Sequence, residues 1–520
     1  MTASSRPLRL AEAVGVLSLA TDLAMAQPLE HGLRTAVLAV RLAQAMGLPE
    51  DDQVTVFYVS LLHFAGCTAE SEIDARFFGD EMAARPQMMA VAFGSRLDLI
   101  STAVQVVHPG RARLARAAVM ARSAFGGVAE FRRWAASHCD VARVLGVRMG
   151  FPEPVQQALR HLWERWDGRG MPGVLQGDQI PLAVRIMQVA QDADMAWQHG
   201  GTALANPLLA ERAGSGLDPQ AVSAFLGLGD DVYEGMDAPS IWEGTLLAEP
   251  GPQPVVSGER LDACLSAMAD FADLKSMWLA GHSRNVAELA RESGMVAGLA
   301  APDVRLLHQA ALVHDIGRVA VPVNVWAKPG PLNRDEHEQV RLHAYHSERV
   351  LSAAAGLLPL ARLAGSHGER CDGSGYHRGS RAGDLPLTAW LLAAADCYQA
   401  MRETRAYRDA LSPAVAADQL CREADEDRLP PDAVEAVLTA AKQPRPPLRR
   451  PAGLSGRECD VLGLLAQGLT TKQAARRLGI SPKTCDHHIQ RLYSKIGVST
   501  RAGAVLFALE HGFASSPDPH

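Results

Sequence analysis

The stretch Leu306-Leu307-His308-Gln309-Ala310-Ala311-Leu312-Val313-His314-Asp315-Ile316-Gly317 decides the fold. An apolar run ends on a His-Asp doublet, and a glycine follows that lets the backbone turn sharply. An imidazole beside a short carboxylate suits a metal held at a helix end, because the Asp can bridge two cations while the His holds one. Further residues give the doublet weight: His282 before it, then His343, His367 and Asp396 after it. Mixed nitrogen and oxygen donors suit Fe, Mn or Zn and are poor for calcium. His308, His337 and His346 are instead read as ordinary surface or hydrogen-bonded histidines.

Around this set stand Asp273, Lys275, Gly281-His282-Ser283, Ala327-Lys328-Pro329-Gly330-Pro331-Leu332, Glu369-Arg370-Cys371-Asp372-Gly373-Ser374-Gly375-Tyr376 and Arg405-Ala406-Tyr407-Arg408. With these residues, roughly Leu261 to Leu420 resembles the HD-GYP branch of the HD-domain metal-dependent phosphohydrolases. The resemblance implies hydrolysis of the cyclic di-GMP phosphodiester on a centre of divalent metals. It implies one ion on His282, His314, Asp315 and Asp396, and another on Asp315, His343 and His367. Asp315 and Arg318 would be catalytic, with Arg318 on a phosphate oxygen, while Lys328, Tyr376, Arg405 and Arg408 would bind substrate.

The chain also departs from the family. His367-Gly368-Glu369 stands where the family has His-His-Glu, which leaves water or Glu369 to fill the place of a ligand. Trp278 occupies the position of a Glu in three-metal members, so two ions are expected. Gly375-Tyr376-His377 replaces Gly-Tyr-Pro, and Ala344 replaces a Pro. Metal and nucleotide binding remain the expectation, and sensing or hydrolysis are both open.

The first half repeats the pattern. His31 and His63 are as far apart as His282 and His314, and His138 precedes Asp167 by the interval from His343 to Asp372. Glu164-Arg165-Trp166-Asp167-Gly168-Arg169-Gly170-Met171-Pro172 is the counterpart of Glu369 to His377. The carboxylates are gone, however: Phe64 stands for Asp315, Gln191 for Asp396, and Leu162-Trp163 for the ligands of the third cluster. Phe has no lone pair and Gln no charge, so the first copy is expected to be inactive. It reads as a ligand-sensing pseudo-domain or as a packing partner; a mononuclear site at His31, His63 and His138 is the lesser alternative. A longer stretch separates His63 from His138 than His314 from His343, and it contains Arg111, Arg113 and Arg116, which receive no function.

From Leu454 the character changes, through Leu454-Ser455-Gly456-Arg457-Glu458, Val461 to Thr470, Lys472 to Thr484 and Ile489 to Val498. Residues 452–514 resemble the LuxR-type helix-turn-helix. Thr470 and Ser481 are helix N-caps, Pro482 suits a first turn, and Gly479 allows the tight turn between helices. The DNA-binding candidates are Lys472, Lys483, Thr484, His487, His488, Arg491 and Lys495.

A chain of 520 residues exceeds one core. The fold expected is all-α: two HD-like helical bundles and a four-helix LuxR-type domain. The bounds are 1–245 for the degenerate copy, 246–258 for a linker, 259–442 for the metal-binding copy, 443–451 for a Pro/Arg linker and 452–514 for the tail. The net charge is -7, yet the chain after Arg445 is basic, which confines DNA contact to the tail. Eight scattered cysteines and an N-terminus broken by Arg6, Arg9, Glu12 and Asp22 point to a cytoplasmic protein without membrane attachment. The expected partners are double-stranded DNA, a nucleotide such as cyclic di-GMP, and a second copy of the chain, since such tails act as dimers on pseudo-palindromes. The leading reading is a one-component transcriptional regulator. The alternatives are a phosphodiesterase merely localised by its tail, and a degenerate body used for protein contacts.

Overall fold

The computed structural model describes residues 7–94, 96–107, 133–443, 452, 454, 456–511 and 513; Arg111, Arg113, Arg116 and most of the Pro/Arg linker lie outside them. Regular structure here is almost wholly helical. The first copy contains α1 (Leu10–Ala24), α2 (His31–Ala45), α3 (Glu50–Leu62), α4 (Ser71–Phe78), α5 (Glu81–Ala90) and α6 (Leu182–Gly200). The second contains α7 (Gly258–Asp273), α8 (His282–Val296), α9 (Ala301–Val313), α10 (Arg334–Leu351) and α11 (Leu387–Arg402).

The duplication extends to capping and packing. His31 and His282 open α2 and α8, whereas His63 and His314 cap the C-terminal ends of α3 and α9. Asp22 accepts the Gly32 N–H at 3.2 Å, and Asp273 accepts the Ser283 N–H at 2.9 Å. A Cβ on Gly66 would lie 2.1 Å from the His138 carbonyl oxygen, and one on Gly317 would lie 2.3 Å from that of His343. The glycine after each His-x motif is thus required by close helix packing rather than by a positive φ, which neither adopts.

The two copies share one hydrophobic core, running from Leu8 to Leu438. Residues of α1 pack on the turn Ile316–Ala320 that follows the His-Asp doublet, and α4 packs on Val323–Trp326. Lys275 and Glu81 form an ion pair of 3.0 Å across this contact, both side chains fully buried. Glu81 also accepts the Val323 N–H at 2.7 Å. The stretch read as a linker between the copies is tied down: Leu8–Arg9 pairs antiparallel with Val255–Val256. The Arg9 guanidinium grips the buried Glu249, to which the Tyr58 hydroxyl donates at 2.5 Å.

The tail has its own core and four helices, α12 (Gly456–Ala466), α13 (Thr471–Arg477), α14 (Pro482–Ile496) and α15 (Arg501–Glu510). Thr470 and Ser481 cap α13 and α14 through their hydroxyls, and Cys485 is buried in the small core. No helix among the described residues is long and apolar enough to cross a membrane.

Candidate metal centre

The start of α8, the end of α9 and the interior of α10 and α11, with the turn after Ala364, bring six side chains together. His282, His314, Asp315 and Asp396 form one group, and Asp315, His343 and His367 another, with ligand atoms within 4.8 Å in each. Asp315 belongs to both and is fully buried. Its Oδ2 lies 3.0 Å from His314 Nε2 and 3.4 Å from His282 Nε2, whereas its Oδ1 lies 3.1 Å from His343 Nε2 and 3.6 Å from His367 Nε2. Asp396 Oδ1 lies 3.1 Å from His282 Nε2.

Each imidazole is held from behind. His314 Nδ1 donates to the Ala311 carbonyl at 2.7 Å, His367 Nδ1 to that of Ala364 at 2.6 Å, and His343 Nδ1 to that of Val340. His282 Nδ1 meets Glu403 at 2.8 Å. These acceptors fix the Nδ1–H tautomer and turn the Nε2 lone pairs inward. His343 Nε2 and His367 Nε2 then face each other at 2.8 Å, two lone pairs that a shared cation would reconcile. His314 Nε2 and both Asp315 oxygens have no hydrogen-bond partner among the described residues. This donor set fits divalent metal.

Burial opposes charge on Asp315, yet the Arg318 guanidinium and the His314 and His282 rings hold it well below the usual carboxylate range. His314 is opposed by burial but raised to about 9 by Asp315 and Asp396. Burial and the neighbouring His314 and His343 push His367 down to about 3, so its ring is a neutral donor. Arg318 Nη2 forms an ion pair with Asp315 Oδ2 at 2.6 Å, outside hydrogen-bond geometry, and its guanidinium stacks over Trp326, with Nε and Nη1 unpartnered among the described residues.

The other expected contacts fall out unevenly. Tyr376 sets its ring edge against His343 and His367, with centroids 5.6 and 6.2 Å away. Arg405 stands behind His282, bonded to Glu403 at 2.8 Å. Lys328 is engaged by Glu336. Arg408 donates to the carbonyls of Ala400, Met401, Glu403 and Asp409, so its guanidinium closes the end of α11 rather than meeting a phosphate. Glu369, one of the two candidates with water for the missing ligand's place, instead accepts the N–H groups of Arg378 and Ser380 at 3.1 and 2.7 Å. That place is taken by Tyr376: a Cβ on Gly368 would sit 1.9 Å from its ring. Gly368→His is therefore expected to lower stability by about 1–3 kcal/mol through overpacking, without adding metal, as thermal unfolding and elemental analysis would show.

Glu403 was not among the expected residues. It lies two helical turns beyond Asp396, on the same side of α11 as the metal-facing ligands.

The first copy builds nothing equivalent. His31 Nδ1 pairs with Asp194 at 2.6 Å, His63 Nδ1 with the Ser60 carbonyl at 2.5 Å, and His138 spends Nε2 on the His63 carbonyl at 2.9 Å. Phe64 stacks on His31 and faces Trp163, so rings fill the centre. Among the described residues, both groups able to hold a metal lie in the second copy.

In the tail, Lys472, Lys483, Thr484, His487, Arg491 and Lys495 are exposed and His488 is half-buried. Lys483, His487 and Arg491 follow one face of α14 at four-residue spacing. Lys495 pairs with the buried Glu458 at 2.6 Å, fastening α14 to α12.

A helical body with a carboxylate shared between two histidine groups defines the HD class of metal centre. The HD domain family model matches residues 128–208 and 266–432, and the model for bacterial regulatory proteins of the luxR family matches 452–508. The 3'3'-cGAMP-specific phosphodiesterase 3 of Vibrio cholerae serotype O1 is 27% identical over 431 residues, 79% of this chain and 90% of that protein. The cyclic di-GMP phosphodiesterase response regulator RpfG of Xanthomonas campestris pv. campestris is 34% identical over 169 residues, 31% of this chain and 44% of that protein. The crystal structure of a cyclic GMP-AMP specific phosphodiesterase of V. cholerae (V-cGAP3) shares the fold, with a TM-score of 0.58 at 24% identity over 85% of this chain and 99% of that one. The chain carries an HD domain and a C-terminal LuxR-type DNA-binding domain, and the relatives it matches are HD-GYP-type cyclic dinucleotide phosphodiesterases.

Proposed function

We propose that this protein is a DNA-binding regulator whose second HD-GYP copy holds two divalent ions and binds and hydrolyses a cyclic dinucleotide, while its first copy is not catalytic. The observation that carries this reading is the Asp315 carboxylate, with one oxygen toward each histidine group. His282, His314, Asp315 and Asp396 would hold one ion; Asp315, His343 and His367 would hold the other. Bound there, the ions would supply Lewis acidity and neutralise phosphate charge. Arg318 adds a fixed positive charge with unpartnered N–H groups for a phosphate oxygen. Tyr376 walls the site beside His343, and Glu403 with Arg405 orients His282. The Vibrio relative is named for 3'3'-cGAMP and RpfG for cyclic di-GMP, so both are the substrates to try. The test is chromatography of each after incubation with the Mn-loaded full chain: linear dinucleotide supports the reading, and neither product nor binding contradicts it.

For the tail, Lys483 and Arg491 are expected to hold DNA phosphates as part of a dimer. Replacing Arg491 by Ala should weaken retardation of all DNA sequences alike and lower the salt slope by about 1. Lys495→Ala should first destabilise the tail, because its ammonium is already committed to Glu458.

A further inference from the structure

Beside the ring-filled place of its lost metal centre, the first copy keeps a cavity of about 140 Å³ that His138 borders. Met88, Met89, Trp134 and Trp163 form its apolar walls, and Glu70 and His138 supply polar groups. By the duplication, His138 and Met171 stand where His343 and Tyr376 border the second copy's centre, so this is the ligand side of the dead site. Two of its polar atoms are poised rather than satisfied. Trp163 Nε1 has no partner among the described residues, and Glu70 Oε1, fully buried, has only the His138 ring at 3.4 Å. Burial raises the Glu70 carboxyl to about 7. Arg169 is exposed at the rim.

We propose that this cavity binds the purine base of a guanine nucleotide and that α5 transmits its occupancy to the metal centre of the second copy. Aromatic and methionine walls suit a flat ring of this size. A carboxylate accepts the adjacent N–H donors of a guanine edge, and the Trp163 N–H meets a ring acceptor. Arg169 is placed for the phosphate outside. The coupling follows from α5 itself: Arg85, Met88 and Met89 line the cavity, while Glu81 in its first turn holds Lys275 and the Val323 N–H beside the His-Asp turn. The coupling rests on the metal-centre reading above; the binding does not.

The test is calorimetric titration of the full chain with guanosine 5'-monophosphate. Saturable binding at one site with a Kd below about 1 mM is expected. It should persist in Asp315→Ala, weaken at least about tenfold in Glu70→Gln, and weaken in the exposed-site variant Arg169→Ala for the monophosphate but not for guanosine. No binding at millimolar nucleotide overturns the proposal. So does binding that is lost in Asp315→Ala yet kept in Glu70→Gln, because the nucleotide would then sit in the metal centre. Coupling is read as the Mn affinity with and without saturating nucleotide. A shift of about threefold or more is expected, and by linkage the metal shifts nucleotide affinity equally. An unchanged Mn affinity removes the α5 coupling. A chain that hydrolyses nothing leaves both titrations decisive.

Discussion

Replacing Asp315 by Ala is expected to strip the protein of bound metal and to cut cyclic dinucleotide hydrolysis by at least about a thousandfold, the rate equivalent of several kcal/mol of charge stabilisation. Among the described residues, no other side chain belongs to both histidine groups. Removing it takes a ligand atom from each and leaves Arg318 buried without its carboxylate. Glu403→Gln provides a graded comparison. It leaves every proposed ligand in place but weakens the hold on His282 Nδ1, so metal affinity should fall by about 10–100-fold. Elemental analysis after dialysis against a range of free Mn concentrations would separate the two. Equal metal content in wild type and Asp315→Ala would contradict the bridging role.

The second large effect concerns the contact between the copies. Lys275→Met leaves the Glu81 carboxylate buried without its partner and is expected to cost about 3–5 kcal/mol. Restoring electrical balance with Glu81→Gln in the same chain should recover most of this, because a Gln oxygen still accepts the Val323 N–H and a buried ion pair is rarely better than a neutral replacement. Denaturant unfolding monitored by circular dichroism gives both numbers. Additive losses in the double variant would show that the two side chains act separately.

The clustering of the second copy's His and Asp side chains, the repeat and the LuxR-type tail were legible in the sequence because each rests on short, fixed spacings. His282 and His314 sit at helix ends and His343 and Asp396 inside helices, all at fixed intervals that the sequence displays. The features that spacing does not encode were not legible. Glu81 and Lys275 meet across the two copies, and no local pattern announces a partner so distant in the chain. Gly317 looks like a turn residue in isolation, but it is the backbone of His343 and Ser347 lying against it that demands glycine. Gly368 looks like a lost ligand, and only the Tyr376 ring beside it shows what occupies the space. Arg408 resembled a phosphate contact because guanidinium chemistry serves helix capping equally well. Two HD-like bundles were expected, with packing of one on the other as one reading of the first copy, but nothing in the sequence says which apolar faces join in the one core.

The most direct measurement is the metal content of the purified full chain beside the triple variant His31→Ala, His63→Ala, His138→Ala and beside His343→Ala. About two ions per chain in the wild type, unchanged in the triple variant and reduced in His343→Ala, is the expected result. Metal lost from the triple variant while its fold persists, or retained in full by His343→Ala, would contradict a centre confined to the second copy.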